Sequence, residues 1–271
     1  MPFLFFIVGI AVGSFLNVVI DRVPERESLF SPPSHCPYCG RQLLPSEMIP
    51  LISYLRLRGR CRTCGAPIPW RVPLIELLTG VLFVLLWLTY RWQIDLWLAI
   101  LYSCILLVIT VIDLEHKLIP NVIILPATVL AVLLALLRNL FFPPPLMHFL
   151  FLRVLFPYLA NWPVGIVGFL GQIAGGLLAF AIFFLIWVIA PQGMGAGDVK
   201  LAAFAGLLTA FPGVLFAIAG SFILGGLTGV ILLASGIAHR KTAIPFAPFL
   251  TITTWAILLY GNTLLRWYLN L

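Results

Sequence analysis

Two aspartates, Asp113 and Asp198, stand where an apolar chain should not tolerate charge without a reason. Asp113 closes the run ILYSCILLVITVID, and Asp198 ends the glycine-rich turn GMGAGD. An ionisable group beside a bilayer core is costly, and by default marks a functional site. Two carboxylates sharing one proton can divide the labour of amide hydrolysis. The ionised one activates water, and the protonated one gives its proton to the leaving nitrogen, because like charges at close range push their titrations apart. Two such groups at one membrane depth point to an aspartyl hydrolase. Purely structural roles are open at both positions: Asp198 as a helix N-cap or dipole partner of the run VKLAAFAGLL, and Asp113 as a partner of Lys117 at i,i+4. Glu115, His116 and Lys117 read as interfacial polar residues beside that site.

A second chemistry is spelled out by sulfur. Cys36-Pro-Tyr-Cys39 and Cys61-Arg-Thr-Cys64 are two CxxC pairs separated by 21 residues, each followed by glycine. A CxxC knuckle lets two thiolates reach one tetrahedral ion, and the glycine lets the backbone turn beneath it. Four thiolates leave no ligand position open, so the expected site is structural zinc on Cys36, Cys39, Cys61 and Cys64. Two disulfides or a redox pair are the alternatives. His35 is expected beside the metal rather than on it, and Cys104, alone in an apolar run, is expected to be a buried small hydrophobe. The loop carrying the knuckles is rich in proline and poor in apolar residues, so removal of the metal should unfold it without unfolding the rest.

The remaining sequence must position these groups, and its composition names the solvent. The 271 residues are 62% hydrophobic and 9% charged, with a mean hydropathy of +1.12, whereas a soluble domain carries roughly 25% charged residues. An all-α polytopic membrane protein is expected. Apolar runs of about 20 residues fall at 3–20, 74–90, 96–113, 120–138, 164–190, 199–211, 214–236 and 245–266. That gives about eight transmembrane helices, the sixth short enough that seven is the alternative count. The first run lacks a basic leader and cleavage site, so it reads as a retained anchor. The expected division is a first transmembrane helix over 1–20, a small zinc-ribbon-like domain over 21–72 and a transmembrane catalytic domain over 73–271. Arginines crowd the second of these, which places it in the cytoplasm. An eight-span count then returns both aspartates to that face, and His239, Arg240 and Lys241 with them. The +7 net charge is read as topology rather than nucleic-acid binding, since no basic stripe interleaves with aromatics. The proline-broken stretch 139–163 is expected to lie in the outer interface, and His148 carries no argument.

The ordered motifs GSFLNVVIDRVP, CPYC, ISYLRLRGRCRTCG, RVPLIELLTG, DLEHKLIPN, GMGAGDVKLAAFAG and IPFAPFL cover most of the chain. Together they resemble the bacterial type IV prepilin peptidases, of the GxGD class of membrane aspartyl proteases. The resemblance implies removal of the basic leader from a prepilin or pseudopilin at the cytoplasmic face of the inner membrane. It also implies, for many members, methylation of the new N-terminal residue from S-adenosylmethionine. By motif it carries the catalytic pair to Asp113 and Asp198, and the metal ligands to the four cysteines. Asn121, where such proteins often have aspartate, and Val72, where they often have tyrosine, depart from the pattern.

A substrate with an apolar helix and a basic leader would present its scissile bond at the depth of the aspartates. Glu25, Glu27, Glu47 and Glu76 are candidates to meet that leader, with the arginines facing anionic membrane lipid; pairing with neighbouring arginines is the alternative for all four acids. No Rossmann-type glycine fingerprint is present, so a methyl-donor site would be unconventional. The competing class is a zinc-stapled transporter or assembly scaffold whose aspartates bind a cation or relay protons.

Overall fold

The computed structural model describes residues 1–142, 162–191, 193–236 and 244–268. Proline sets the rhythm of the helices, because its fixed φ suits a first turn where its missing N–H costs nothing. Helix α1 spans Pro2–Glu25. After a short helix α2 (Ile52–Arg56), the longer helices resume with α3 (Arg71–Tyr90), α4 (Ile94–His116) and α5 (Asn121–Phe141), which starts behind Pro120. Then come α6 (Val164–Ile189) behind Pro163, α7 (Ala196–Thr209), α8 (Gly213–Ala234) behind Pro212 and α9 (Ala247–Tyr268).

Each of the eight apolar runs is a helix. Six are long and apolar enough to cross a membrane, which makes this a multi-pass membrane protein. Among the described residues there are only isolated bridges and no strand. Most of the stretch 139–163, with His148, and the cluster His239, Arg240 and Lys241 lie outside the described residues. Two boundaries differ from the hydropathy reading. Helix α1 runs on into the polar loop, and α7 begins before Asp198, which is therefore helical and not the end of a turn.

The chain forms two compact units, Met1–Cys104 and Ile105–Leu271. In the first, α1 packs along α3. The buried Arg22 closes the end of α1 by donating to the Ser28 and Pro32 carbonyls, both at 2.7 Å. Arg71 pairs with Asp21, and Arg41 with both carboxylate oxygens of Glu47.

In the second unit the 14-residue α7 is the central element. At 1.5 Å per residue it is only about 21 Å long, shorter than the roughly 30 Å hydrocarbon core. It packs instead against α5, α6, α8 and α9, with Val199, Leu201, Ala202, Phe204 and Ala205 buried. A Cβ on Gly175 of α6 would fall 2.5 Å from the Gly206 carbonyl of α7, so the two backbones touch, as small residues permit between membrane helices. The outward faces are apolar, with Ile223, Leu227, Val230 and Ile231 of α8 all exposed, as a lipid-facing surface requires.

Candidate active site and metal centre

Asp113 lies in the last turn of α4 and is 6% exposed. Its Oδ2 accepts the Ala247 amide, at the first residue of α9, at 3.3 Å. One turn earlier the Thr110 hydroxyl donates to the Thr251 hydroxyl at 2.8 Å, so the end of α4 and the start of α9 are tied at two levels. The N-terminus of α9 thus presents its unpaired amides and positive dipole end to a carboxylate. What aims it there is a ring cluster: Phe246 lies 5.6 Å from Phe183, 5.5 Å from Phe222 and 6.2 Å from Phe249 between centroids. Asp113 takes this amide rather than the exposed Lys117, and no ion pair joins the two among the described residues.

Asp198 is the third residue of α7, and its Oδ2 accepts the Gly195 amide at 3.0 Å. This is the back-bond of a capping box, an acid at the third position satisfying the N-cap amide. The capping alternative for Asp198 is therefore realised, with Asp113 near enough for the two charges to interact. Each aspartate is held through one oxygen, and no hydrogen bond reaches either Oδ1 among the described residues. That leaves one oxygen of each carboxylate free of hydrogen bonds among the described residues.

The glycines of GMGAGD serve closeness rather than backbone freedom. Neither Gly195 nor Gly197 has a positive φ. A Cβ on Gly197 would meet the Ile119 side chain at 2.9 Å, in the link from α4 to α5. Lys200 adds a second tie to that region, donating to the Asn121 side-chain oxygen at 2.7 Å. The link that follows Asp113 and the turn that holds Asp198 are thereby pressed together. Ala247, Phe246 and the Thr110–Thr251 pair were not singled out for any role by sequence. Phe246 and Ala247 had one signal, IPFAPFL, a proline-flanked aromatic segment at a helix start, and the threonine pair had none.

The four cysteines converge. Their sulfurs all lie within 4.8 Å of one another, and Cys36 Sγ is 3.8 Å from Cys64 Sγ. A tetrahedron of thiolates at about 2.3 Å from zinc has edges of about 3.8 Å, so the donor set fits that ion in both type and size. The two knuckles are copies. The Gly40 amide donates to the Cys36 carbonyl and the Gly65 amide to the Cys61 carbonyl, at 2.9 and 3.0 Å. Both glycines are left-handed, at φ 68° and 70°, a conformation that other residues adopt only with strain. Amides of Cys64 and Thr63 push the Cys61 thiol down to about 6, toward the thiolate a metal needs. None of the four is in a disulfide. His35 bonds the Pro33 carbonyl and stays outside the cluster. Cys104 is only half-buried, lining an apolar cavity of about 440 Å³ with Phe5, Phe83, Trp92 and Trp97.

Residues 7–90 match the bacterial peptidase A24 N-terminal domain, and residues 100–230 match the type IV leader peptidase family. A prepilin leader peptidase/N-methyltransferase of Pseudomonas aeruginosa is 34% identical over 97% of this chain and 92% of its own length. Relatives of the same name from Aeromonas hydrophila and Bacillus subtilis are 32% and 30% identical, each over 98% of this chain and over 93% and 97% of their own lengths. No solved structure matches.

Proposed function

The chain belongs to the type IV leader peptidase family, and from that premise we propose that it cuts the basic leader from a prepilin or pseudopilin, with Asp113 and Asp198 as the catalytic pair. The observation that carries this reading is the packing of the segment after Asp113 against the turn that holds Asp198, each carboxylate keeping an oxygen free, in a chain that is 9% charged. One ionised carboxylate takes a proton from the attacking water while its protonated partner gives one to the amide nitrogen as the bond breaks. The tie to the α9 amide and the back-bond to Gly195 hold both groups still, so little reorganisation is needed at the moment of reaction.

The arginine-rich loop over 21–72 supports a cytoplasmic placement for the cysteine domain and, by the span count, for the aspartates. Zinc on Cys36, Cys39, Cys61 and Cys64 would staple a small domain with little core of its own. Its arginines suit anionic lipid head groups. The relatives' second activity supports N-methylation of the new N-terminus with S-adenosylmethionine as donor. Of the acids considered for the leader, Glu47 is committed to Arg41 and the Leu44 amide, whereas Glu25 and Glu27 remain exposed.

The test is cleavage of a prepilin-like substrate in detergent by wild type, Asp113→Asn and Asp198→Asn, with folding checked for each. Folded variants that do not cut support the pair. A folded variant that cuts at the wild-type rate removes its aspartate from the mechanism. A wild type that cuts nothing would return the aspartates to ion or proton binding.

A further inference from the structure

Glu76, considered above for the leader, is instead a second buried acid, held under the Leu51 amide and outside the aspartate pair. It lies in the second turn of α3 and is 4% exposed. Its Oε2 accepts the Leu51 amide at 2.8 Å, and the Ser14 hydroxyl lies nearby. Among the described residues no cation pairs with it. A buried carboxylate without a counter-ion is costly to keep, so this one needs a reason.

The helix beside it is also short of donors. Gly13 of α1 lies directly against Glu76, since a Cβ there would fall 2.8 Å from the Glu76 Cα. One turn along α1, Asn17 is 5% exposed, and its side-chain nitrogen donates to the Gly13 and Val72 carbonyls. Both bonds fix the amide's orientation, and its Oδ1 is buried with no partner among the described residues. The α1–α3 seam therefore offers surplus acceptors: a carboxylate and, one turn away, an orphaned amide oxygen. A group with several N–H donors and a positive charge is what such a seam lacks, and a primary ammonium offers three.

The donor that Glu76 now holds is under strain. Leu51 sits at φ 59°, ψ −48°, and the Ile52 amide closes a tight turn onto the Pro50 carbonyl at 2.6 Å. This is the positive-φ form of the γ-turn, which is rare and strained for any residue with a side chain. The strap Pro50–Leu51–Ile52 thus covers the carboxylate at an energetic cost, lending it the one backbone N–H that an incoming amine would replace.

We propose that Glu76, with Asn17 beside it, is the amine subsite for methyl transfer, covered by the Leu51 strap. The assignment rests on the methyltransferase part of the function proposed above. The step balances as follows. Glu76 takes one proton from the N-terminal ammonium, freeing the nitrogen lone pair. That pair attacks the methyl carbon of the sulfonium donor, forming the N–C bond. The C–S bond breaks with its electrons going to sulfur, leaving a neutral thioether and a methylammonium. Glu76 returns its proton to water when the strap reopens.

The experiment is one incubation in detergent with a prepilin-like substrate and S-adenosylmethionine, reading cleaved and methylated fractions separately by mass spectrometry. Glu76→Gln should cut within about two-fold of wild type while methylation falls about 100-fold or more, the scale of a lost general base. Methylation by that variant at the wild-type rate overturns the assignment. Leu51→Gly guards against a Glu76→Gln that fails to fold. Glycine accepts the positive φ without strain, so the strap stays shut longer, and methylation should drop about five-fold with cleavage unchanged. Unchanged or faster methylation in Leu51→Gly also overturns it. A wild type that cuts but never methylates removes the methyltransferase reading, and the subsite with it.

Discussion

The cysteine knuckles and the aspartate pair are both small polar constellations in an apolar chain, yet they are assembled in opposite ways. Each knuckle closes within a few residues, through its own amides and one left-handed glycine, and a single loop joins the two. The aspartates come from α4 and α7, with two helices between them, and packing places each one: α9 lends its first amide to Asp113, and the α4–α5 link presses on the turn that holds Asp198. A local site is fixed by its own segment and by what it binds. A long-range site is fixed by the packing of the bundle, and every helix that carries it is a place to break it.

Crossed perturbations follow from that contrast, and the aspartates should give the largest effect. Asp198→Asn should lose about 1,000-fold or more in cleavage while retaining one zinc per chain by metal analysis. Loss of zinc in that variant would mean that the two sites are not independent. Metal removal should do the converse. Chelation, or Cys36→Ser, should open residues 26–70 to limited proteolysis while the helical circular dichroism of the bundle persists, because structural zinc binding is itself folding free energy. Collapse of the bundle together with the loop would overturn the comparison.

Gly197→Ala should be milder. The added methyl drives the α4–α5 link away from α7 at Ile119, and cleavage should fall about ten-fold, as misplacement of a reacting group does, with zinc content unchanged. Thr251→Val leaves the buried Thr110 hydroxyl without its side-chain partner, for an expected loss of about 1–2 kcal/mol, read as a lower thermal midpoint of the bundle.

The smallest effect is expected at Glu47. The Leu44 amide and then the Arg41 guanidinium hold its carboxyl below the ordinary 4.5. Its contribution to the loop is therefore complete above pH 4.5 and is lost as pH falls through the lowered value. Glu47→Gln should abolish only that part of the acid sensitivity of the zinc-loaded loop, followed by proteolysis against pH.

The sequence by itself determined the solvent, the eight helices and the four cysteines that converge. Hydropathy needs only a run of apolar residues, and a CxxC-glycine knuckle folds through contacts within its own few residues. Proline placed helix starts at Asn121, Val164 and Gly213 for the same local reason. Tertiary structure alone decided how the aspartates are held. That Asp198 back-bonds to Gly195 from within a helix, and that Asp113 takes an amide from α9 rather than Lys117, depends on which helix ends meet. It also decided that Glu47 is spent on Arg41, while Glu76 is buried under a strained turn and pairs with no cation among the described residues. A single acid in a sequence carries no record of its partners, because electrostatic and hydrogen-bond partners are chosen by packing between segments far apart in the chain.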